Sequence, residues 1–158
     1  MNRRDFIRLV EGSQKSLRRF LASLCSGDAD MADDIAQETY LKAFMMIRTL
    51  DKIENFNAWI MKIGYNTFLN WIRSKKISVP LEELRGIEAE DSVDKYYRYE
   101  NLYQALDGLP SSEKSALVLY YLEGFATKEI AGILDTSDES VRQSLSRGRK
   151  RLKKLLKD

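Results

Sequence analysis

Apolar residues recur every three or four positions along most of this chain, the spacing that places them on one side of an α-helix. The pattern predicts a first helix over 5–25, with Phe6, Leu9, Val10, Leu17, Phe20, Leu21 and Leu24 in its stripe, ended by the "SGDAD" punctuation at 26–30. A second helix is predicted from about Met31 to Leu50, its inward arc holding Ala36, Thr39, Tyr40, Ala43, Met46, Ile47 and Leu50. A third runs from about Asn55 to Lys75, with Ile60, Met61, Gly64, Phe68, Trp71 and Ile72 inward. Gly64 sits near the centre of that arc, where a second helix can approach closely. Residues 78–95, "SVPLEELRGIEAEDSVDK", lose the period and read as a linker. Four shorter helices are predicted beyond it, at about Tyr96–Asp107, Ser111–Leu122, Thr127–Leu134 and Asp138–Leu156. Strand-type alternation and internal repeats are absent from the sequence. The expected fold is all-α: two small helical domains, 1–77 and 96–158, joined by an acidic linker at 78–95.

Composition narrows this picture. Only two prolines and eight glycines stand among 158 residues, in keeping with helices throughout. One cysteine, Cys25, excludes an internal disulfide, and the lack of histidine removes the usual zinc ligand sets. No metal or cofactor is expected. No apolar run reaches the ~20 residues that cross a bilayer, and "MNRRDFIRLVEGSQKS" lacks the apolar core of a signal peptide. A cytoplasmic protein without membrane insertion is expected.

Charge separates what the net value of +2 conceals. Residues 1–80 hold 13 basic and 9 acidic side chains, 81–141 hold 5 and 14, and 142–158 hold 8 basic residues against Asp158 alone. Blocks of this kind mark separate surfaces. In "ATKEIAGILDTSDESVRQSLSRGRKRLKKLL" (126–156), a short helix, the polar turn "DTSD" and a long helix make a helix-turn-helix. Thr136 or Ser137 can cap the second helix, and Thr136 with Glu139 has capping-box spacing. Val141, Leu145, Gly148, Leu152 and Leu155 fall on its inward arc. Ser140, Gln143, Arg147, Lys150 and Lys154 lie opposite, flanked by Arg142 and Ser146. Arg and Gln pair with purine edges in a major groove, Ser is a short versatile partner, and Lys meets phosphates. An amphipathic helix with a solvated basic face is the plainer alternative for that arc alone.

The stretch from "LPSSEKSALVLYYLEGF" through "RGRKRLKKLL" resembles the promoter-binding C-terminal domain of bacterial sigma factors, most closely the small extracytoplasmic-function (ECF) group. The N-terminal half agrees. On the second helix, Asp34, Gln37, Glu38, Leu41, Met45 and Arg48 share the outward arc, a mixed polar and apolar patch suited to another protein. Asp34-x-x-Gln37-Glu38 is similar to the motif by which sigma factors grip the clamp helices of the polymerase's largest subunit. The resemblance implies that Asp34, Gln37, Glu38 and Leu41 dock there.

On the third helix, Lys62, Asn66, Asn70 and Arg73 form an outward stripe, with Trp59, Ile63 and Leu69 beside it and Lys75 and Lys76 after it. Amides, cations and a flat ring suit a single DNA strand with unstacked bases, while a polar surface helix is the plainer reading. "NAWIMKIGYNTFLNWIR" is similar to the sigma element that melts and reads the minus-ten region.

The resemblance spans nearly the whole chain apart from the linker. It implies a promoter-specificity subunit of RNA polymerase, not an enzyme, with core polymerase, promoter DNA and an anti-sigma factor as partners. The linker is expected to thread the polymerase near the RNA path. The rival readings are a stand-alone helix-turn-helix regulator and a recombinase or nuclease. The regulator needs a dimer seam or sensor domain that the sequence lacks. The enzyme needs a carboxylate cluster, and Asp33–Asp34 and Glu82–Glu83 are adjacent pairs that face apart on a helix.

Overall fold

A computed structural model describes residues 1–49, 53–74 and 100–157. The linker at 78–95, Lys75 and Lys76, Leu50, and the start of the predicted helix at 96–99 lie outside the described residues. Three helices form the N-terminal bundle: α1 (Arg3–Leu24), α2 (Ala29–Met46), which runs into a 3₁₀ turn at Ile47–Thr49, and α3 (Phe56–Ser74). The C-terminal half contains α4 (Glu100–Asp107), α5 (Ser111–Leu117), α6 (Thr127–Leu134) and α7 (Asp138–Lys157).

Local chemistry sets the ends of these helices. Asn2 accepts from the Asp5 amide (2.8 Å) to open α1, and Asp28 accepts from the Met31 amide (3.1 Å) to open α2. Between them Ser26 and Gly27 take left-handed backbone (φ 52° and 87°), which turns the chain within "SGD". Asn55 accepts from the Ala58 amide (3.1 Å) and starts α3. Past Leu117, α5 widens into a π-helical turn at Val118–Leu122, with the Glu123 amide donating to the Val118 carbonyl at 3.1 Å.

The N-terminal core is built from Leu17, Phe20 and Leu21 of α1, Ile35, Ala36 and Ala43 of α2, and Ile60, Met61 and Phe68 of α3. Buried Thr39 and Thr67 donate to the Ile35 and Ile63 carbonyls, both at 2.7 Å, so neither hydroxyl is left bare. A Cβ on Gly64 would stand 2.8 Å from Leu17 Cδ1, so glycine at this point lets α1 and α3 meet. Gly148 does the same for α7 against α5: its Cβ would lie 2.9 Å from Leu117 Cδ1.

Several predicted inward residues are outside. Met46 is exposed, Ile72 is 51% and Leu155 46% exposed, and Leu9 also faces water. Ile63, placed beside the outward stripe, is buried against the end of α2, and Ile35 joins the core although the expected arc omits it.

The two halves touch. α3 packs on α6, and α1 packs on α5 and its π-helical turn. Arg19 of α1 forms a two-pronged ion pair with Glu123 (2.5 and 2.9 Å), and the Asn55 amide donates to Glu129 at 2.5 Å.

Candidate functional site

Three surfaces carry the residues singled out above. The first is the outer face of α2. Asp34, Gln37 and Leu41 are exposed, Leu41 by 66%, and the neighbouring Met45 by 74%. Leu41 and Gln37 line a shallow groove of about 510 Å³ together with Phe6, Ile7, Tyr40 and Phe44. Ile7 and Phe44 extend the patch beyond the expected residues. The signal for Phe44 was present, since Gln37, Leu41 and Phe44 follow the i, i+4, i+7 rule of a helix face. Ile7 reaches the patch from α1, a juxtaposition only the packing of the two helices creates.

Glu38 is different. It is half-buried, its carboxylate accepts from the Trp71 indole N–H of α3, and it pairs with Lys42 at 3.6 Å. Trp71, predicted as a core residue, is half-buried, with its polar edge turned to this carboxylate. The expected docking carboxylate is therefore also a tie between α2 and α3.

The second surface is α3. Lys62, Asn66, Asn70 and Arg73 are all exposed, one above another along the helix. Asn66 and Asn70 form one wall of a groove of about 410 Å³ between α2 and α3, with Met45, Met46 and Ile63 as its apolar lining. Lys42 lines it too and donates to Thr67 Oγ1 at 3.4 Å. Trp59 lies apart from this groove, half-buried, with its ring 5.6 Å from that of Phe56 and tilted by 46°. Leu69 is half-buried. The arrangement offers amide edges beside thioether and alkyl surface, which can take a flat ring and hydrogen-bond its rim.

The third surface is the helix-turn-helix. Asp135 takes left-handed backbone (φ 54°) to end α6, and the Thr136 amide returns to the Ala131 carbonyl at 2.9 Å. Ser137 caps α7 by accepting from the Ser140 amide at 3.1 Å. Thr136, the alternative cap, lies one residue too early, so its capping box with Glu139 does not form. Ser140, Arg142, Gln143, Arg147, Lys150 and Lys154 are exposed, and Ser146 is partly so. Val141, Leu145 and Gly148 are buried on the other side.

Arg142 pairs with Asp138 at 3.0 Å one turn back, an exposed i,i+4 bridge of small net value. Among the described residues no carboxylate pairs with Arg147, Lys150 or Lys154, which leaves a cationic stripe along about two turns. Arg149 and Arg151 turn instead to Tyr121 (3.0 Å) and Glu113 (3.4 Å). An apolar groove of about 550 Å³, bounded by Leu106, Val118, Tyr121, Leu152 and Leu156, lies away from the cationic stripe. It combines residues of α4, the π-helical turn and α7, a juxtaposition that no local period encodes.

No described group of His, Cys, Asp or Glu could hold a metal ion, and no helix among the described residues is long and apolar enough to cross a membrane.

Comparison with known proteins bears on both halves. Residues 9–77 match the family Sigma-70 region 2, and residues 99–152 match Sigma-70, region 4. The chain is 32% identical to the ECF RNA polymerase sigma factor EcfG of Rhodopseudomonas palustris, over 89% of this chain and 79% of that protein. It is 30% identical to the ECF RNA polymerase sigma factor SigM of Bacillus subtilis, over 87% and 86%. Among solved structures it resembles the sigma factor RpoE of Bartonella quintana in complex with the anti-sigma factor NepR, with TM-score 0.79, 27% identity and 97% of both chains covered.

Proposed function

This chain belongs to the ECF group of RNA polymerase sigma factors, non-catalytic initiation factors that direct core polymerase to promoters, and from that premise we propose which of its surfaces does what. Residues 1–77 form the polymerase- and minus-ten-binding unit, 78–95 the linker and 96–158 the minus-thirty-five unit. The exposed Asp34, Gln37 and Leu41, with Ile7 and Phe44, dock on the polymerase clamp helices: a small apolar centre in a polar rim is the composition of a protein interface. Glu38 serves this surface from behind, by holding α2 to α3 through Trp71.

The α2–α3 groove receives an unstacked base of the melted minus-ten strand. Asn66 and Asn70 read its edge, Met45 and Met46 pack on its face, and Lys62, Arg73, Lys75 and Lys76 follow the backbone. Trp59 supports this face from its seat on Phe56. Ser140, Arg142, Gln143 and Ser146 face the base pairs of the minus-thirty-five duplex, and Arg147, Lys150 and Lys154 its phosphates. Besides core polymerase and DNA, an anti-sigma factor is a partner supported by the resemblance to the complex with NepR. The protein performs no chemistry of its own, and it works in the cytoplasm, where core polymerase and promoter DNA are.

The observation that carries this reading is the cationic stripe Arg147–Lys150–Lys154, paired with no carboxylate among the described residues, on a capped recognition helix, in a chain whose other half presents the Asn66–Asn70 groove. Run-off transcription with core polymerase from the same bacterium and a pool of promoter fragments tests it. Start sites that depend on the protein and vanish with Gln37→Ala/Leu41→Ala support it. Absence of new transcripts, together with tight duplex binding by the protein alone, overturns it in favour of a stand-alone regulator.

A further inference from the structure

Sulfur is confined to one end of this chain. All five methionines and Cys25 fall within residues 1–61, and none lies in the half that carries α7. Their surroundings differ. Met61 is fully buried in the N-terminal core and Met31 is partly covered, whereas Met45 is 74% and Met46 43% exposed. Met1 is also exposed, but it stands at the start of the chain, outside the surfaces described above.

Met45 and Met46 are neighbours on α2, and both line the α2–α3 groove with Ile63, so two of its three apolar liners are thioethers. The same groove holds the N–H donors of Lys42, Asn66 and Asn70. Leucine or isoleucine would supply an equally apolar lining. What methionine adds is a sulfur that an oxidant can convert, reversibly, into a polar group, and this sulfur is within reach of solvent.

We propose that Met45, with Met46 beside it, is a modification site: oxidation of the two thioethers by a hydroperoxide blocks the α2–α3 groove to an unstacked base and leaves the α7 stripe untouched. With hydrogen peroxide, the sulfur lone pair attacks one peroxide oxygen. An S–O bond forms as the O–O bond breaks, sulfur loses two electrons, and the hydroxyl proton passes to the departing hydroxide, which leaves as water. Two thiols reverse the step, giving back the thioether with a disulfide and water. Each sulfoxide puts a polar S–O dipole where a base would lay its face, and burying that dipole under a ring costs free energy. It also brings an acceptor into the groove that holds Lys42, Asn66 and Asn70, and that acceptor competes with the base edge for their N–H groups. The consequence rests on the groove being the site of an unstacked base; the reactivity rests on exposure alone.

The test treats the full chain with hydrogen peroxide, quenches it, and locates the added oxygen by peptide mass spectrometry with fragmentation that separates Met45 from Met46. Fluorescence anisotropy then reads binding of a single-stranded minus-ten oligonucleotide and of a minus-thirty-five duplex, both taken from a promoter found by run-off transcription. Met45 should be oxidised first and Met61 last. Affinity for the strand should fall ~10-fold while affinity for the duplex stays as it was. Methionine sulfoxide reductases for both sulfoxide epimers, with dithiothreitol, should restore it, and dithiothreitol alone, which reverses only thiol oxidation at Cys25, should not. In Met45→Leu/Met46→Leu, strand affinity should be the same before and after peroxide, whatever the substitutions themselves cost.

Oxidation of Met31 or Met61 ahead of Met45, an unchanged strand affinity in a chain oxidised at both positions, or an equal loss in the leucine variant overturns the site. A fall in helix content by circular dichroism, or an equal loss of duplex binding, marks general damage and overturns it too. Failure of the groove reading shows separately: the untreated chain then binds no minus-ten strand, and the proposal falls with that reading although the oxidation map stands.

Discussion

The α2–α3 groove and the α7 stripe, both proposed to meet nucleic acid, are built on different principles. The α7 surface is a single helix face: the inner residues Val141, Leu145 and Gly148 fix its rotation, Ser137 fixes its start, and the outward residues from Ser140 to Lys154 are polar or cationic. The α2–α3 surface needs two helices at once. Its floor is methionine and isoleucine, its edge is amide, and Glu38 with Trp71 ties its two walls together. The first suits a duplex, whose grooves present charge and base edges without being opened. The second suits a base already out of the stack, which offers an apolar face as well as a polar rim. Long-range charge should therefore dominate one surface, and shape with hydrogen bonding the other.

Salt separates them most strongly. If four to six of the eight cations in 142–158 meet phosphates, Arg147, Lys150 and Lys154 among them, the log–log slope for minus-thirty-five duplex is about −4 to −5. Raising salt fourfold should then weaken that complex by ~250- to 1,000-fold. Four cations on a single strand (Lys62, Arg73, Lys75 and Lys76) give a slope of about −3 and a loss of ~50-fold over the same range. Fluorescence anisotropy with the two oligonucleotides checks both, and equal slopes would erase the contrast. Next in size is the amide edge. Asn66→Ala or Asn70→Ala leaves a base edge unpaired and should cost about 1–3 kcal/mol in open-complex formation, with the salt slope unchanged. Permanganate footprinting of the melted region reads this.

On α7, Gln143→Ala should remove about 1–3 kcal/mol of discrimination at one base pair, while Lys154→Ala should weaken all duplexes alike and lower the slope by about 0.9. Binding to a randomised duplex library distinguishes the two. The smallest effect concerns the scaffold: Ser137→Ala removes the α7 cap and should lower stability by about 1 kcal/mol in thermal unfolding. Thr136→Ala at the neighbouring position should leave it unchanged, since the Ser140 amide bonds to Ser137.

A period of 3.6 assigns each residue an angle about its own helix and nothing more, so it serves well where a helix has neighbours along its whole length. It places Ile60, Met61 and Phe68 inside and Lys62, Asn66 and Asn70 outside, as the structure does. It fails at helix ends, where Met46, Ile72 and Leu155 point toward a core that has already stopped. It fails again for Ile63, whose angle on α3 says outward but which the end of α2 covers. Glu38 shows a related limit: its place in the Asp34–Glu38 motif says nothing of Trp71, 33 positions away, whose indole N–H its carboxylate also accepts.

By itself the sequence determined the helices, the helix-turn-helix with its basic outward arc, the amide stripe on α3 and the need for a small residue at Gly64. All of these follow from spacing along a single helix, or from the intrinsic properties of one residue. Only the tertiary structure decided that α2 and α3 enclose a groove, that Glu38 ties α2 to α3 through Trp71, that Ile7 joins the patch of Gln37 and Leu41, and that Arg19 and Asn55 reach Glu123 and Glu129. These depend on how far and at what angle helices cross. That is settled by the summed packing of residues from separate parts of the chain, such as Leu17 against Gly64 and Leu117 against Gly148, and no local period encodes it.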